Sequence, residues 1–196
     1  MSNDTVLFLA LSQNTKHPIA SKGEERIQQY VNGIEKLFEY NFKDKADVIV
    51  CDNTTSHLDK RIIKALPWDT EYYTYENNTG AMSKSIGLYD QWKSCQNLMK
   101  PYKWIVHFEP RQILKKHDFF DSFFKNKRNL FNVRGDHFWT GLFSIGQKEM
   151  LDYTNYQQPD GSIEFHFFKF MGKYKYEHED LHILWNDVAK NVWVHI

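Results

Sequence analysis

Cysteine is almost missing from this chain: Cys51 and Cys95 are the two in 196 residues. Two thiols cannot build a four-cysteine zinc ribbon, and a chain of this length buries a core without disulfide staples. Both lie in apolar segments, which reads as buried thiols in a reducing compartment, with a bond between them left open. Proline and glycine are also few, five and nine, and no Pro/Gly/Ser-rich linker, repeat or low-complexity tract divides the chain. One domain is expected. An excess of either charge is missing too, since 25 basic residues face 25 acidic ones. Whole-chain electrostatics therefore give no case for nucleic acid or an anionic membrane as partner. The basic runs at Leu114–His117 and Lys125–Arg128 read as solvated faces. No apolar run nears the roughly 20 residues of a bilayer span, and the N-terminal VLFLALS is too short for a signal segment and lacks its basic flank. A soluble, cytoplasmic chain is expected, either whole or a module of a longer protein.

The familiar nucleotide and hydrolase motifs are absent as well. No G-x-G-x-x-G follows the first apolar run, which argues against a dinucleotide fold, and no G-x-x-x-x-G-K-[ST] supports a P-loop. Neither G-x-S-x-G nor H-E-x-x-H occurs.

What is present is an alternation. VLFLALS (Val6 to Ser12) and ADVIVCDN (Ala46 to Asn53) are continuous apolar runs, as in strands covered on both faces. Between them Ile27, Tyr30, Val31, Ile34, Leu37 and Phe38 recur at helical spacing from about Glu24 to Tyr40. A short helix near His57 to Ala65 stops at Pro67. EYYTYEN reads as a third strand. Met82, Ile86, Tyr89, Cys95 and Met99 share a helical face that ends at Pro101, and KWIVHFEP is a fourth strand. This order predicts a mostly parallel sheet with helices on both faces. In the remainder, RNLFNV, HFWTGLFSI and SIEFHFFKF are aromatic and strand-like, EDLHILWNDVAKNV reads as a last helix, and WVHI as a last strand. In such sheets ligands bind outside the carboxyl ends of the strands. The polar residues at those ends are Ser12 and Asn14; Asp52 and Asn53; Asn77, Asn78 and Gly80; His107 and Glu109.

The layout of VLFLALSQN, VIVCDN, NNTGAMSKSIGLYDQW and WIVHFEP resembles the GT-A fold of nucleotide-sugar-dependent glycosyltransferases, and is similar to its compact virus-encoded and bacterial surface-glycan members. The resemblance implies a Rossmann-type three-layer α/β sandwich, with residues 1–112 binding the nucleotide sugar and a smaller, aromatic-rich mixed half, 113–196, binding the acceptor. It implies transfer of a sugar from a nucleotide-sugar donor, foremost a UDP-sugar, to a glycan acceptor, with inversion and with Mn2+ or Mg2+. The family's acidic metal motif falls on His107-Phe108-Glu109. A cation there would neutralise the charge on the departing diphosphate. Positions i and i+2 of a strand point the same way, so both side chains are expected in the cleft; the competing reading is a core histidine and a Glu109–Arg111 pair.

For the donor, the candidates are Ser12, Asn14, Asp52, Asn78, Gly80, Lys84 and Arg111. Turn, cap and solvated roles compete for each. The base that takes the acceptor proton is expected from Asp180 or Glu179, placed by the resemblance at the start of a late helix, with Asp136 as competitor. Helix-start electrostatics and a turn are their ordinary explanations. Trp139 is the candidate for stacking on the acceptor, while most other aromatics read as core. His195 is a further candidate ligand from the tail. Two other functions remain: a carbohydrate-binding or assembly domain without catalysis, and a metal-assisted hydrolase using His107 and Glu109 with His166 or His178.

Overall fold

A computed structural model describes the backbone of residues 3–18, 20–187 and 192–195, and side chains within these as far as residue 184. VLFLALS forms β1 (Thr5–Leu11), every residue of it buried. Strand alternation divides its side chains between two cores. Leu7, Leu9 and Leu11 pack with α1 (Gly23–Leu37), while Val6, Phe8 and Ala10 join the opposite layer. α1 carries Glu24 and Glu25 in its first turn and Lys36 in its last, which suits the helix dipole. Ile27, Tyr30, Ile34 and Leu37 are its buried stripe.

β2 (Asp47–Asp52) lies parallel to β1, and α2 (Lys60–Ala65), capped by the Asp59 side chain, leads to β3 (Glu71–Thr74) at the edge. A 3-10 turn (Thr79–Ala81) precedes α3 (Lys84–Ser94), whose cap is Ser83, and α4 (Gln96–Met99). β4 (Trp104–Phe108) then pairs in parallel with the other side of β1. After β5 (Ile113–Leu114) and α5 (Asp118–Lys125), the strands β6 (Leu130–Arg134) and β7 (His137–Gly146) form an antiparallel pair, and β7 docks antiparallel on β4. The helices α6 (Gln147–Thr154) and α7 (Ile163–Met171) and the short strand β8 (Glu177–His178) follow. Last come β9 (Ile183–Asp187) and β10 (Val192–His195).

The central sheet runs β3-β2-β1-β4-β7-β6-β8, and β10-β9-β5 form a small second sheet. Helices α1, α2 and α5 cover one face of the central sheet, and α3, α4, α6 and α7 the other. This is the expected three-layer sandwich with a mostly parallel sheet, and one sheet takes strands from both halves of the chain. Cys51 and Cys95 are free and buried. No helix among the described residues is long and apolar enough to cross a membrane.

Three expectations need correction. SIEFHFFKF is helix α7: Ser162 accepts the Phe165 N–H as cap, and Ile163, Phe167, Phe170 and Met171 bury one face. Its aromatic content imitated a strand, but the burial follows a helical period. EDLHILWNDVAKNV is not a helix over its described part. Leu181 and Ile183 are buried between exposed His182 and half-buried Leu184, a period of two, and β9 is held between β5 and β10; residues 188–191 of that segment lie outside the described ones. WVHI is a strand as expected, although the side chain of His195 also lies outside the described residues. Met82 is not on the buried face of α3. It precedes the Ser83 cap and is 95% exposed, whereas Tyr89, Cys95 and Met99 are core, with Trp92 at their centre.

Two glycines set distances that the site depends on. A methyl group on Gly33 of α1 would sit 1.8 Å from the Pro110 carbonyl oxygen, so the loop after β4 rests directly on α1. One on Gly87 of α3 would meet the Cα of Gly80 at 2.6 Å, so the 3-10 turn lies flat on that helix.

Candidate active site

The chain leaves β1 toward β2 on one side and returns to β4 on the other. The crevice between such diverging connections is the natural ligand site of an open α/β sheet. A cleft of about 330 Å3 lies there. Its walls come from the ends of β1 (Leu11, Ser12) and β4 (Glu109 to Gln112), the start of α3 (Lys84), β7 (Trp139 to Gly141) and the start of α7 (Glu164).

On the β1/β2 side the polar groups bond one another. The buried Arg26 donates from Nε to the Ser12 carbonyl at 2.5 Å and from a terminal nitrogen to Ser12 Oγ at 2.6 Å. Tyr30 Oη accepts the Ser12 N–H at 2.7 Å. Asp52 accepts the N–H groups of Gln13 and Thr54, both at 2.8 Å, and the Thr54 hydroxyl at 2.6 Å. Burial raises the Asp52 pKa and these donors oppose the rise. Asn53 donates to the Gly87 carbonyl at 3.0 Å and to Asp90 at 3.1 Å, tying the end of β2 to α3. Gln91 donates to the Leu11 carbonyl and to Asn53 Oδ1.

Across the cleft the groups are less satisfied. Arg111 stands 3.7 Å from the Glu109 carboxylate, longer than a good bidentate pair. Glu109 keeps a quarter of its side-chain surface exposed; burial raises its pKa, Arg111 opposes this and Glu164 adds to it. Burial pulls Lys84 below its ordinary value, with Arg111 adding to the fall and Glu109 resisting it. Glu164 accepts Ser162 Oγ at 2.7 Å and, more weakly, Thr140 Oγ1 at 3.5 Å. The buried Gln112 has an amide nitrogen without a hydrogen-bond partner on this wall, and on the opposite one, in the loop after β1, His17 is the exception with a ring nitrogen unpartnered; both residues line the cleft. Burial lowers the His17 pKa, and Lys84 and Arg26 lower it further.

The cleft thus brings together Ser12, Gly80, Lys84, Glu109, Arg111 and Trp139 from the expected set. His107 is not among them. It is fully buried, its ring centroid 4.8 Å from that of Phe143 and 5.9 Å from that of Phe8, and its Nδ1 accepts the Trp92 indole N–H at 3.2 Å. Burial depresses its pKa to about 3. His107 lies within β4 and is covered by Trp92 and Phe143, whereas Glu109 stands one residue beyond the end of β4, its N–H still bonded to the Gly141 carbonyl at 2.8 Å, where it lines the cleft. Asp52 is committed to the backbone of two loops. Asn14 donates its N–H to Thr54, and Asn78, in the left-handed region at φ 51°, receives the Lys16 N–H; neither lines the cleft.

The three expected bases lie elsewhere. Asp136 is in the exposed turn between β6 and β7, beside His137. Glu179 accepts from Ser122 Oγ at 2.9 Å and pairs loosely with Arg128. Asp180 borders a second, open groove. The late helix that was to carry Glu179 and Asp180 gives way to the strand β9, and among the later helices it is α7 whose start reaches the cleft, with Glu164. Sequence reasoning missed Glu164 because its segment read as a strand. The Ser162-x-Glu164 start was the available signal, an N-cap before an apolar run. It also missed Arg26 and Gln112. No group of three or more His, Cys, Asp and Glu side chains among the described residues is arranged to hold a metal, so the metal-hydrolase reading finds no assembled site there.

No family model matches the chain, and no curated protein matches it. Solved structures do. A protein assigned as a nucleotide-diphospho-sugar transferase from Desulfovibrio desulfuricans superposes with a TM-score of 0.61 at 8% identity, over 91% of this chain and 80% of its own. A cytidylyltransferase from Leptospira borgpetersenii gives 0.55 at 11%, over 90% and 76%. TarS from S. aureus in complex with UDP-GlcNAc gives 0.51 at 11%, over 92% and 59%.

Proposed function

The GT-A-like nucleotide-sugar fold is the premise here, and we propose that the chain is a transferase that binds a nucleotide sugar in the β1/β4 cleft and passes the sugar to a glycan acceptor. The observation that carries this reading is the incomplete compensation of Lys84 and Arg111 beside the carboxylates of Glu109 and Glu164, at the switch point of the sheet. Arg111 is half-buried and Lys84 is exposed at the cleft mouth, and neither has a close ion pair among the described residues; such cations attract an anion, and a diphosphate is the anion such clefts accommodate.

In this reading Arg111 and Lys84 hold the phosphates, and the unpaired Gln112 amide donates to the ligand. Gly80 lets the 3-10 turn lie close to α3 and so shapes the floor. Arg26, Tyr30 and Asp52 keep the loops after β1 and β2 in place and touch no phosphate. The family's Mn2+ or Mg2+ fits the donor set in part. Glu109 would supply a hard oxygen ligand, and such ions take few protein carboxylates when phosphates complete the shell. When bound, the ion would offset charge on the departing diphosphate. The transfer breaks the bond between the anomeric carbon and the diphosphate oxygen and forms one from that carbon to the acceptor oxygen. Glu164 takes the acceptor hydroxyl's proton, and attack from the face opposite the leaving group inverts the centre. Trp139, which lines the cleft from β7, offers a ring for the C–H face of a sugar.

Thermal unfolding with UDP, UDP-sugars and CTP, each with and without Mn2+, tests the reading. A rise in midpoint with the uridine ligands, larger with the metal, is the expected result, because a ligand that binds only the folded state stabilises it by mass action. A response to CTP alone would point to nucleotidyl transfer onto a sugar phosphate. A shift with soluble glycans and none with nucleotides would favour the non-catalytic carbohydrate-binding reading.

A further inference from the structure

A second groove, of about 770 Å3, opens beyond the first cleft. Lys115 and Lys116 follow β5, Arg134 ends β6, and His178, Asp180 and His182 lie on the segment from β8 to β9. These three pieces are held in register. Lys115 donates its N–H to the His182 carbonyl at 2.7 Å, and Val133 donates its N–H to His178 Nδ1 at 3.0 Å. The second bond puts the ring proton on His178 Nε2, which donates to Asp180 at 3.0 Å. The one carboxylate of the groove is therefore occupied, while neither lysine has an ion pair among the described residues. In a chain of zero formal charge, this is a local excess of cations on a shaped surface.

The groove adjoins the first cleft. The Arg134 guanidinium lies 5.1 Å from the ring centroid of Trp139, the next residue is Thr140, and Thr140 donates to Glu164. We propose that the groove seats the acceptor's anionic part, and that the acceptor is a glycan chain bearing phosphate or carboxylate groups. Its free hydroxyl reaches past Trp139 to the transfer site. The assignment of an acceptor rests on reading the first cleft as the donor site. Two lysines without an ion pair among the described residues, and an arginine, fit repeated negative charge better than a neutral sugar, which would be recognised by aromatic and amide groups.

The test is calorimetric titration at low ionic strength with short inorganic polyphosphate, oligogalacturonate and maltoheptaose, in the absence and presence of UDP. The proteins are the parent chain, Lys115→Glu/Lys116→Glu, and Lys60→Glu/Lys64→Glu, a charge-matched control on the exposed side of α2. At least one anion should bind the parent and maltoheptaose should not. The groove variant should lose about tenfold or more in affinity while the control keeps it, since long-range charge alone acts on both alike. UDP should shift the melting of all three proteins equally. The stronger of the two anions identifies phosphate or carboxylate. Equal loss in the control, binding of maltoheptaose as tight as that of the anions, or tighter binding of a single-stranded oligonucleotide would overturn the proposal. Anion binding that depends on these lysines in a protein with no UDP response would leave an anion site, and would overturn its role as acceptor site together with the donor reading.

Discussion

The two walls of the first cleft are built on different terms. On the β1/β2 wall, Arg26, Asp52, Asn53 and Gln91 satisfy one another and the backbone. On the β4/β7/α7 wall, Glu109, Arg111 and Gln112 are incompletely paired, and so is Lys84 at the start of α3, whose charge they feel across the cleft. Polar groups that have spent their hydrogen bonds on the fold have little left for a ligand. Groups left short of partners in a half-buried place carry a cost that a ligand can relieve. The contrast separates scaffold from site without any bound molecule, and it changes the role of Asp52 from ligand contact to loop brace.

The largest effect expected from this contrast is on the satisfied wall. Asp52→Ala strands the buried N–H groups of Gln13 and Thr54 and should cost about 4 kcal/mol of stability. In urea titrations Arg111→Ala should stay within about 1 kcal/mol of the parent. Equal losses in the two variants would erase the distinction between the walls.

His107 within β4 and Glu109 just beyond its end sharpen it further. Burial depresses the His107 pKa from 6.5 to about 3, so the unfolded chain gains a proton below about pH 6.5 that the folded chain refuses. Stability from this group is complete well above that pH and declines as pH falls toward 3, by roughly 2 kcal/mol between pH 6.5 and 4.5, the slope approaching about 1.4 kcal/mol per unit once the unfolded group is protonated. His107→Gln, which keeps an acceptor for Trp92, should flatten that part of the stability–pH curve. An unchanged slope would mean that the ring is not held neutral in the core. At the other wall, Glu164→Gln should lower turnover about a hundredfold, near 2.7 kcal/mol, with donor affinity kept. Full turnover in that variant would return the base to Asp180.

Much of the layout was legible along the chain. Apolar runs without alternation marked β1, β2 and β4 as strands covered on both faces, and the 3.6 period marked α1. Strand ends in a parallel sheet pointed to Ser12, Glu109 and Arg111. The reading failed where local pattern and tertiary environment part company. Aromatic SIEFHFFKF looked like a strand until its Ser162 cap and buried face made it α7. EDLHILW carried helix-forming residues, yet its pairing with β5 made a strand of it.

The sequence by itself determined the sandwich and the end of the sheet at which the cleft lies, because side-chain period and covered strands are local properties of the chain. Tertiary structure alone decided which charged groups meet. Glu109 lines the cleft and His107 does not, because Trp92 and Phe143 cover His107 and end short of Glu109. Glu164 arrives because α7 starts beside β7. Lys84 and Arg111 keep unspent charge because no described neighbour comes close enough to bond it well, and that depends on distances that no spacing along the chain encodes.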